Sequence, residues 1–379
     1  MPPTQPQADV LTRARDLVPL VLAQRDEAER LRHMTPDVVE AFRQAGLFQM
    51  YLPRSMGGLE THPLTAFEAI ETISRADGSA GWCAMIATIM SGYLGWVPVG
   101  VGRELAGDPP DFRAAGSLRP QGRAIKVAGG YRVTGRWDFA SGIDHARFLK
   151  CSCMIEGEKK PRAMLVPIEN ATIIDTWTTV GMRATSSQDF QVTDVFVPAE
   201  RTYSNTEPPY EQGTLYTPRL LQTTFWTATV ANALGIARGA IDTFTDMAAN
   251  VTTTMSTSVL RDRPLVQTRV AEAEAIVNAA RAYVVNSVGK AWDAAESGAD
   301  LGPYVAQSRL AITHGMHEAV RAVDMIFHAA GTNAVYVCNP LERYFRDIHV
   351  AVQHGAALPQ HYESAGKALM GLRPADPVW

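Results

Sequence analysis

The spacing of apolar residues changes twice along this chain, and that double change limits the folds open to it. Leu11, Ala14, Leu17, Val18 and Val21 recur at helical spacing, and a helical pattern continues to about Asp108. Thr35 followed by Pro36 supplies an N-cap and first-turn pair, predicting a helix through Ala45 that Gly46 closes. A further helix is expected from about Leu64 to Arg75. From about Phe112 to Tyr203 the period becomes two. Ala124–Val127 and Tyr131–Thr134 flank Ala128-Gly129-Gly130 as a hairpin, and Phe148–Met154, Ala163–Pro167 and Phe190–Val197 read as strands. Six to eight antiparallel strands are expected there. Helices return from Leu220 to about Leu372. The longest starts at Pro264 and runs to about Glu296, with Val266, Val270, Ala273, Val277, Ala280, Val284, Val288 and Trp292 at bundle spacing.

Composition excludes several classes of function. The 379 residues carry a formal net charge of -4, which provides no basic face for nucleic acid and no polybasic run for a membrane surface. Ser79 to Gly102 is free of charge and long enough to span a bilayer, but its five glycines and Pro98 point to a buried core helix. The polar first ten residues do not read as a signal peptide. Cys83, Cys151, Cys153 and Cys338 fit small buried thiols in a reducing cytoplasm, with Cys151 and Cys153 on one strand face. His314 and His317 share a helix face without a carboxylate in a metal pattern, so no metal is expected. Gly100-Val101-Gly102 lacks the third glycine and the preceding strand of a dinucleotide fingerprint.

Four stretches together resemble the acyl-CoA dehydrogenase superfamily: Leu52-Pro53-Arg54-Ser55-Met56-Gly57-Gly58; Gly181-Met182-Arg183-Ala184-Thr185 through Val195-Phe196-Val197-Pro198; Leu234-Gly235-Ile236-Ala237-Arg238-Gly239-Ala240; and Glu342-Arg343-Tyr344-Phe345-Arg346-Asp347. Their order spans nearly the whole chain and follows the helix, strand, helix reading. The resemblance implies an α+β, acyl-CoA dehydrogenase-like subunit with an N-terminal helical domain (1–112), a central antiparallel β domain (113–210) and a C-terminal four-helix bundle (211–379). It also implies flavin held between β domain and bundle, and a homotetramer.

Within that superfamily the chain departs from the dehydrogenases. Their common base is a glutamate nine positions after the arginine of the Arg-Asp pair, where this chain has Gly355, with His354 before it and Glu363 the next carboxylate. The family's glycine-rich flavin motif is replaced by Ala115–Gly122. Trp137-Asp138-Phe139-Ala140-Ser141-Gly142, with His145-Ala146, resembles instead the two-component flavin monooxygenases. That branch implies a flavin C4a-hydroperoxide formed from O2 and from reduced FMN or FAD, supplied by a separate NAD(P)H:flavin reductase. Ser141 matches the hydroxyl facing flavin N5, where a hydrogen bond prolongs the adduct. His354 matches the histidine that assists substrate or peroxide, a role suited to a group titrating near neutrality.

The resemblance extends the flavin site to Trp137, Phe139, Ser141, Gly142, Ser186, Ser187, Arg263 and Gly331, and the substrate pocket to Trp82, Met90 and His354. Trp137 serves either as packing or as flavin contact. Arg263 either meets a flavin phosphate or is solvated, and His145 orients a loop. Phenol hydroxylases of the branch tend to carry a histidine where this chain has Met90. A soft apolar side chain there argues against a simple phenol and leaves a heterocycle, polyketide, thioether or amine. Two other readings stay open: an acyl-CoA dehydrogenase or oxidase with a displaced base, and a non-catalytic flavin carrier.

Overall fold

Residues 5–252 and 257–374 are described by a computed structural model. Helices α1 (Gln5–Leu31), α2 (Pro36–Gln44), α3 (Pro63–Ala76), α4 (Gly78–Gly92) and α5 (Val99–Ala106) come first. Strands β1 (Ala114–Gly116), β2 (Gly122–Val127), β3 (Gly130–Ala140), β4 (Phe148–Ile155), β5 (Pro161–Pro167), β6 (Thr172–Ile174), β7 (Gln188–Pro198) and β8 (Thr202–Tyr203) follow. Helices α6 (Leu221–Ala248), α7 (Pro264–Glu296), α8 (Gly302–Ala330), α9 (Pro340–Ala351) and α10 (Gln360–Leu369) complete the order. The α+β class and the helix, strand, helix sequence are as expected.

The charge-free stretch departs from expectation. It is not one helix but three pieces, with α4 ending at Gly92, a 3-10 turn over Tyr93–Trp96, and α5 starting after Pro98. Proline cannot donate the backbone bond that a continuing helix needs, so it starts a new helix instead. No helix among the described residues is long and apolar enough to cross a membrane.

The chain forms two compact units. The first contains residues up to 62, 82–179 and 183–218. Its centre is one sheet in the order β6-β7-β3-β2-β4-β5-β8, with β1 beside β4. The pairings are mainly antiparallel, but β1 and β2 both run parallel to β4, which corrects the purely antiparallel expectation. Parallel neighbours arise because the β2–β3 hairpin sends the chain back on β3, and β4 then enters beside β2 rather than β3. Leu149, Cys151 and Cys153 alternate along β4 into the sheet core with Val133, Met164 and Phe190.

The second unit contains residues 63–81, 180–182 and 219 onward. Val266, Ala273, Val277, Ala280, Val284 and Val288 of α7 are buried as the spacing predicts, and Val270 is half-buried. The seam then moves to Ala291 and Ala294, leaving Trp292 half-buried with its Nε1 on Glu296 Oε1 at 2.8 Å. Buried Asn232 of α6 donates to Ser74 Oγ (2.9 Å) and to Gly78 O (2.8 Å). Gly235 lets α6 approach α3, since a Cβ there would lie 2.6 Å from Glu71 O. Gly235→Val should therefore separate the two helices at a cost of about 3 kcal/mol. The check is a melting temperature several degrees below the parent's, and an unchanged one would mean that α3 yields without cost.

Candidate functional site

The first cluster is built at the end of β3, within the first unit. The β3–β7 register shifts between Trp137 and Ala140, a bulge that breaks strict alternation. Trp137 stays inside, fully buried, with Nε1 donating to Ser152 O at 2.8 Å and its ring stacked on Phe190 at 5.1 Å. These contacts place Trp137 within the sheet core, in keeping with the packing alternative. Trp137→Phe should lower stability by about 1–3 kcal/mol while changing flavin affinity less than twofold. A collapse in flavin affinity in a folded variant would favour the flavin-contact alternative instead.

Phe139 is turned outward by the bulge. It is 55% exposed and sits at φ 59, a backbone region costly for a non-glycine residue. Trp177 meets its ring edge-on at 6.2 Å, and the Arg119 guanidinium lies 5.7 Å from its centroid. Gly142 adopts φ 77, donates its N–H to Thr185 O at 2.7 Å, and sits where a Cβ would fall 2.9 Å from the His145 ring. His145 stacks on Phe48 at 5.5 Å, and burial pushes its pKa down to about 3, which fits a neutral loop-orienting ring.

Ser141 stands at the head of a chain of hydroxyls. Trp82 Nε1 donates to Ser141 Oγ at 3.0 Å, Ser141 Oγ lies 2.6 Å from Ser187 Oγ, and Ser187 Oγ lies 2.7 Å from Thr185 Oγ1. Ser186 points elsewhere and bonds the Asp144 carboxylate. Met90 is buried on α4. The spacing of motifs gave no hint of the link between Trp82, expected in a pocket wall, and Ser141. Thr185 was visible only as the last residue of its motif.

The second cluster lies within the second unit, after α9. His354 caps a 3-10 turn over Gly355–Ala357, its Nδ1 accepting from Ala356 N at 3.2 Å. Burial lowers its pKa to about 4. The ring is therefore neutral near pH 7, with its proton on Nε2, and does not titrate near neutrality as expected. Each carbonyl of this turn is held: His361 Nε2 donates to Gly355 O (2.8 Å), Thr313 Oγ1 to Ala356 O (2.8 Å), and His317 Nε2 to Ala357 O (2.9 Å). His317 is thus a loop anchor, and no metal-binding group occurs among the described residues. Arg263 precedes α7 and donates to Ser258 O at 3.4 Å, while Gly331 follows α8 at φ 61 on the surface.

Two of the resembling stretches meet in this unit. Met182 N donates to buried Asp347 at 2.5 Å, and a Cβ on Gly181 would lie 2.4 Å from Arg346 O. The Gly-Met and Arg-Asp pairs are therefore a packing device that fixes the start of the segment leading to His354.

Comparison with known proteins identifies the family. Residues 4–95 match the family model "Acyl-CoA dehydrogenase, N-terminal domain" and residues 227–359 match "Acyl-CoA dehydrogenase, C-terminal domain". The chain is 34% identical to an indole-3-acetate monooxygenase of Pseudomonas putida, over 92% of this chain and 90% of that protein. It is 28% identical to the flavin-dependent monooxygenase oxygenase subunit HsaA of Rhodococcus jostii, over 95% and 98%. The solved structure of XiaF from Streptomyces in complex with FADH2 and glycerol superposes with a TM-score of 0.91 at 25% identity, over 98% and 97%.

Proposed function

The chain belongs to the acyl-CoA dehydrogenase family, in its branch of flavin-dependent monooxygenase oxygenase components, and we propose that Ser141 and His354 carry its chemistry. It is a flavin-dependent monooxygenase that acts on a small molecule and receives reduced flavin from a separate reductase. Bound reduced FMN or FAD supplies the electrons that let one atom of O2 enter the substrate while the other leaves as water.

The donor set fits such a ring. Phe139 offers an exposed aromatic face, and Ser141 keeps one hydrogen-bonding position after Trp82 and Ser187 take the other two. That hydroxyl chain ending at Ser141 is the observation that carries the reading. Ser141 Oγ would accept the N–H at the ring's N5, Phe139, Gly142 and Ser187 would frame its edge, and Ser186, Arg263 and Gly331 remain outer candidates. His354 would donate its Nε2 proton to the oxygen being transferred or to a polar atom of the substrate. It acts in this reading as a neutral donor rather than as a base, because Nδ1 is already engaged.

We take the substrate to be an aromatic heterocycle, since buried Met90 and Trp82 supply apolar surface and the Pseudomonas relative is named for an indole acid. The test supplies the chain with a flavin reductase, NAD(P)H, 18O2 and indole-3-acetate or indole. One 18O atom in the product is expected. Hydrogen peroxide alone from both compounds would remove the indole class, and bleaching of bound flavin by acyl-CoA under argon would remove the monooxygenase reading. We also propose a cytoplasmic homotetramer, in keeping with the free cysteines and with Val335, Tyr336 and Val337, an exposed apolar run before α9. Light scattering should give four times 41.2 kDa.

A further inference from the structure

We propose that Trp82, Ser187 and Thr185 are positioning residues that hold the Ser141 hydroxyl as a hydrogen-bond acceptor, so that the site favours reduced over oxidised flavin. The inference rests on the reading that Ser141 faces flavin N5.

The four side chains lie in the same unit and are almost closed to solvent, at 9% for Trp82, 6% for Ser141, 3% for Ser187 and 1% for Thr185. With so little water at hand, the orientation of each hydroxyl is set by its protein partners. Ser141 has one proton and two lone pairs. The Trp82 indole can only donate, so at 3.0 Å it takes one lone pair. The Ser141–Ser187 contact at 2.6 Å can run in either direction. If Ser187 donated to Ser141, both lone pairs of Ser141 would be filled and its proton would face the site. A buried donor without an acceptor costs more than an unfilled lone pair. The cheaper arrangement sends the Ser141 proton to Ser187 and the Ser187 proton to Thr185 Oγ1 at 2.7 Å. One lone pair of Ser141 is then left for an incoming group.

This arrangement discriminates between the two flavin states. Reduced flavin presents N–H at N5, which a lone pair accepts. Oxidised flavin presents a lone pair at N5, which an acceptor cannot bond. A hydroxyl free to rotate would serve both states; one whose proton is committed serves the reduced state. An oxygenase that must capture reduced flavin in the presence of the oxidised form gains selectivity from this commitment.

The experiment measures dissociation constants of FMN and FAD for the chain, oxidised in air and reduced under argon, and compares their ratio across variants. Ser187→Ala removes the acceptor for the Ser141 proton, so the preference for reduced flavin should fall at least tenfold, a drop of about 30 mV in the bound flavin's two-electron potential. Trp82→Phe should lower the preference three- to tenfold, because the freed lone pair lets Ser141 rotate. Ser187→Thr keeps a hydroxyl and should retain the parent ratio. Should Ser187→Ala fail to fold, Thr185→Val breaks the same chain one step further out and should shift the ratio in the same direction. If Ser141→Ala shifts the ratio while the Ser187 and Trp82 variants stay within twofold of the parent, the positioning role is overturned and the N5 reading stands. If Ser141→Ala also leaves the ratio unchanged, Ser141 does not face N5 and both fall together.

Discussion

Replacing His354 with alanine is expected to cut product formation roughly 100-fold or more while oxidation of reduced flavin by O2 continues, its electrons then appearing as hydrogen peroxide. The reason lies in how the imidazole is held. Ala356 N occupies Nδ1, and burial keeps the ring neutral down to about pH 4, so Nε2 carries a proton across the working range. That proton can stabilise charge developing on oxygen, and a single well-placed donor of this kind contributes about 10²–10³ in rate. Alanine also removes a cap, at about 1 kcal/mol, so loss of product could reflect a loosened loop. His354→Asn separates the two effects, because asparagine caps well and still offers an N–H. It should restore the melting temperature and part of the yield. The parent's ratio of product to peroxide should stay flat from pH 5 to 9; a limb near pH 6.5 would mean that His354 titrates freely and acts as a base. Unchanged product in His354→Ala would take the residue out of the chemistry.

The architecture was legible because it depends on periodicity, which local sequence records. The α7 boundaries and the β2–β3 hairpin follow from Pro264 and from Gly129-Gly130, residues whose backbone preferences act within a few positions. The parallel entry of β4 beside β2 was not legible, since alternation reports which face is buried and says nothing about which neighbour is chosen. The site was legible in part. The motif around Ser141 led to the loop at the end of β3 but did not report which way its members face: the alternate position of Trp137 turns it into the sheet, and the bulge turns Phe139 out. The links of Trp82 to Ser141 and of Thr313 and His317 to the Gly355–Ala357 turn bridge distant segments. Such contacts leave no periodic trace. The chemical state of His354 was likewise hidden, because a histidine's pKa is decided by its surroundings rather than by its place in a motif.

Those surroundings give a distinctive acid response. Stability should begin to fall as pH drops below about 6.5 and should keep falling to about pH 3–4, before most carboxylates are protonated. Burial holds His145 at about 3 and His354 at about 4, against 6.5 for an unperturbed imidazole. An imidazole with a depressed folded pKa binds its proton more readily in the unfolded chain. Its stabilising contribution is therefore fully present above pH 6.5 and is lost as pH falls toward the folded value. At 1.36 kcal/mol per unit, reduced for the part of each ring edge that solvent reaches, the loss is roughly 2–3 kcal/mol for each residue. Ion-paired carboxylates act lower on the scale: the Arg43 guanidinium beside Glu40 holds that carboxyl at about 2, so its contribution survives well below pH 4.5. Between 6.5 and 4.5 the two histidines thus lower stability, while Glu71, whose carboxyl is raised by burial, acts in the opposite direction. The two lie in different units, so calorimetry on single variants can assign the loss. His145→Phe, which keeps a ring against Phe48, should flatten the first unit's response in that interval, and His354→Asn the second's. If both variants lose melting temperature between pH 6.5 and 4.5 as steeply as the parent, neither imidazole is held neutral by burial, and the donor role of His354 loses its physical basis.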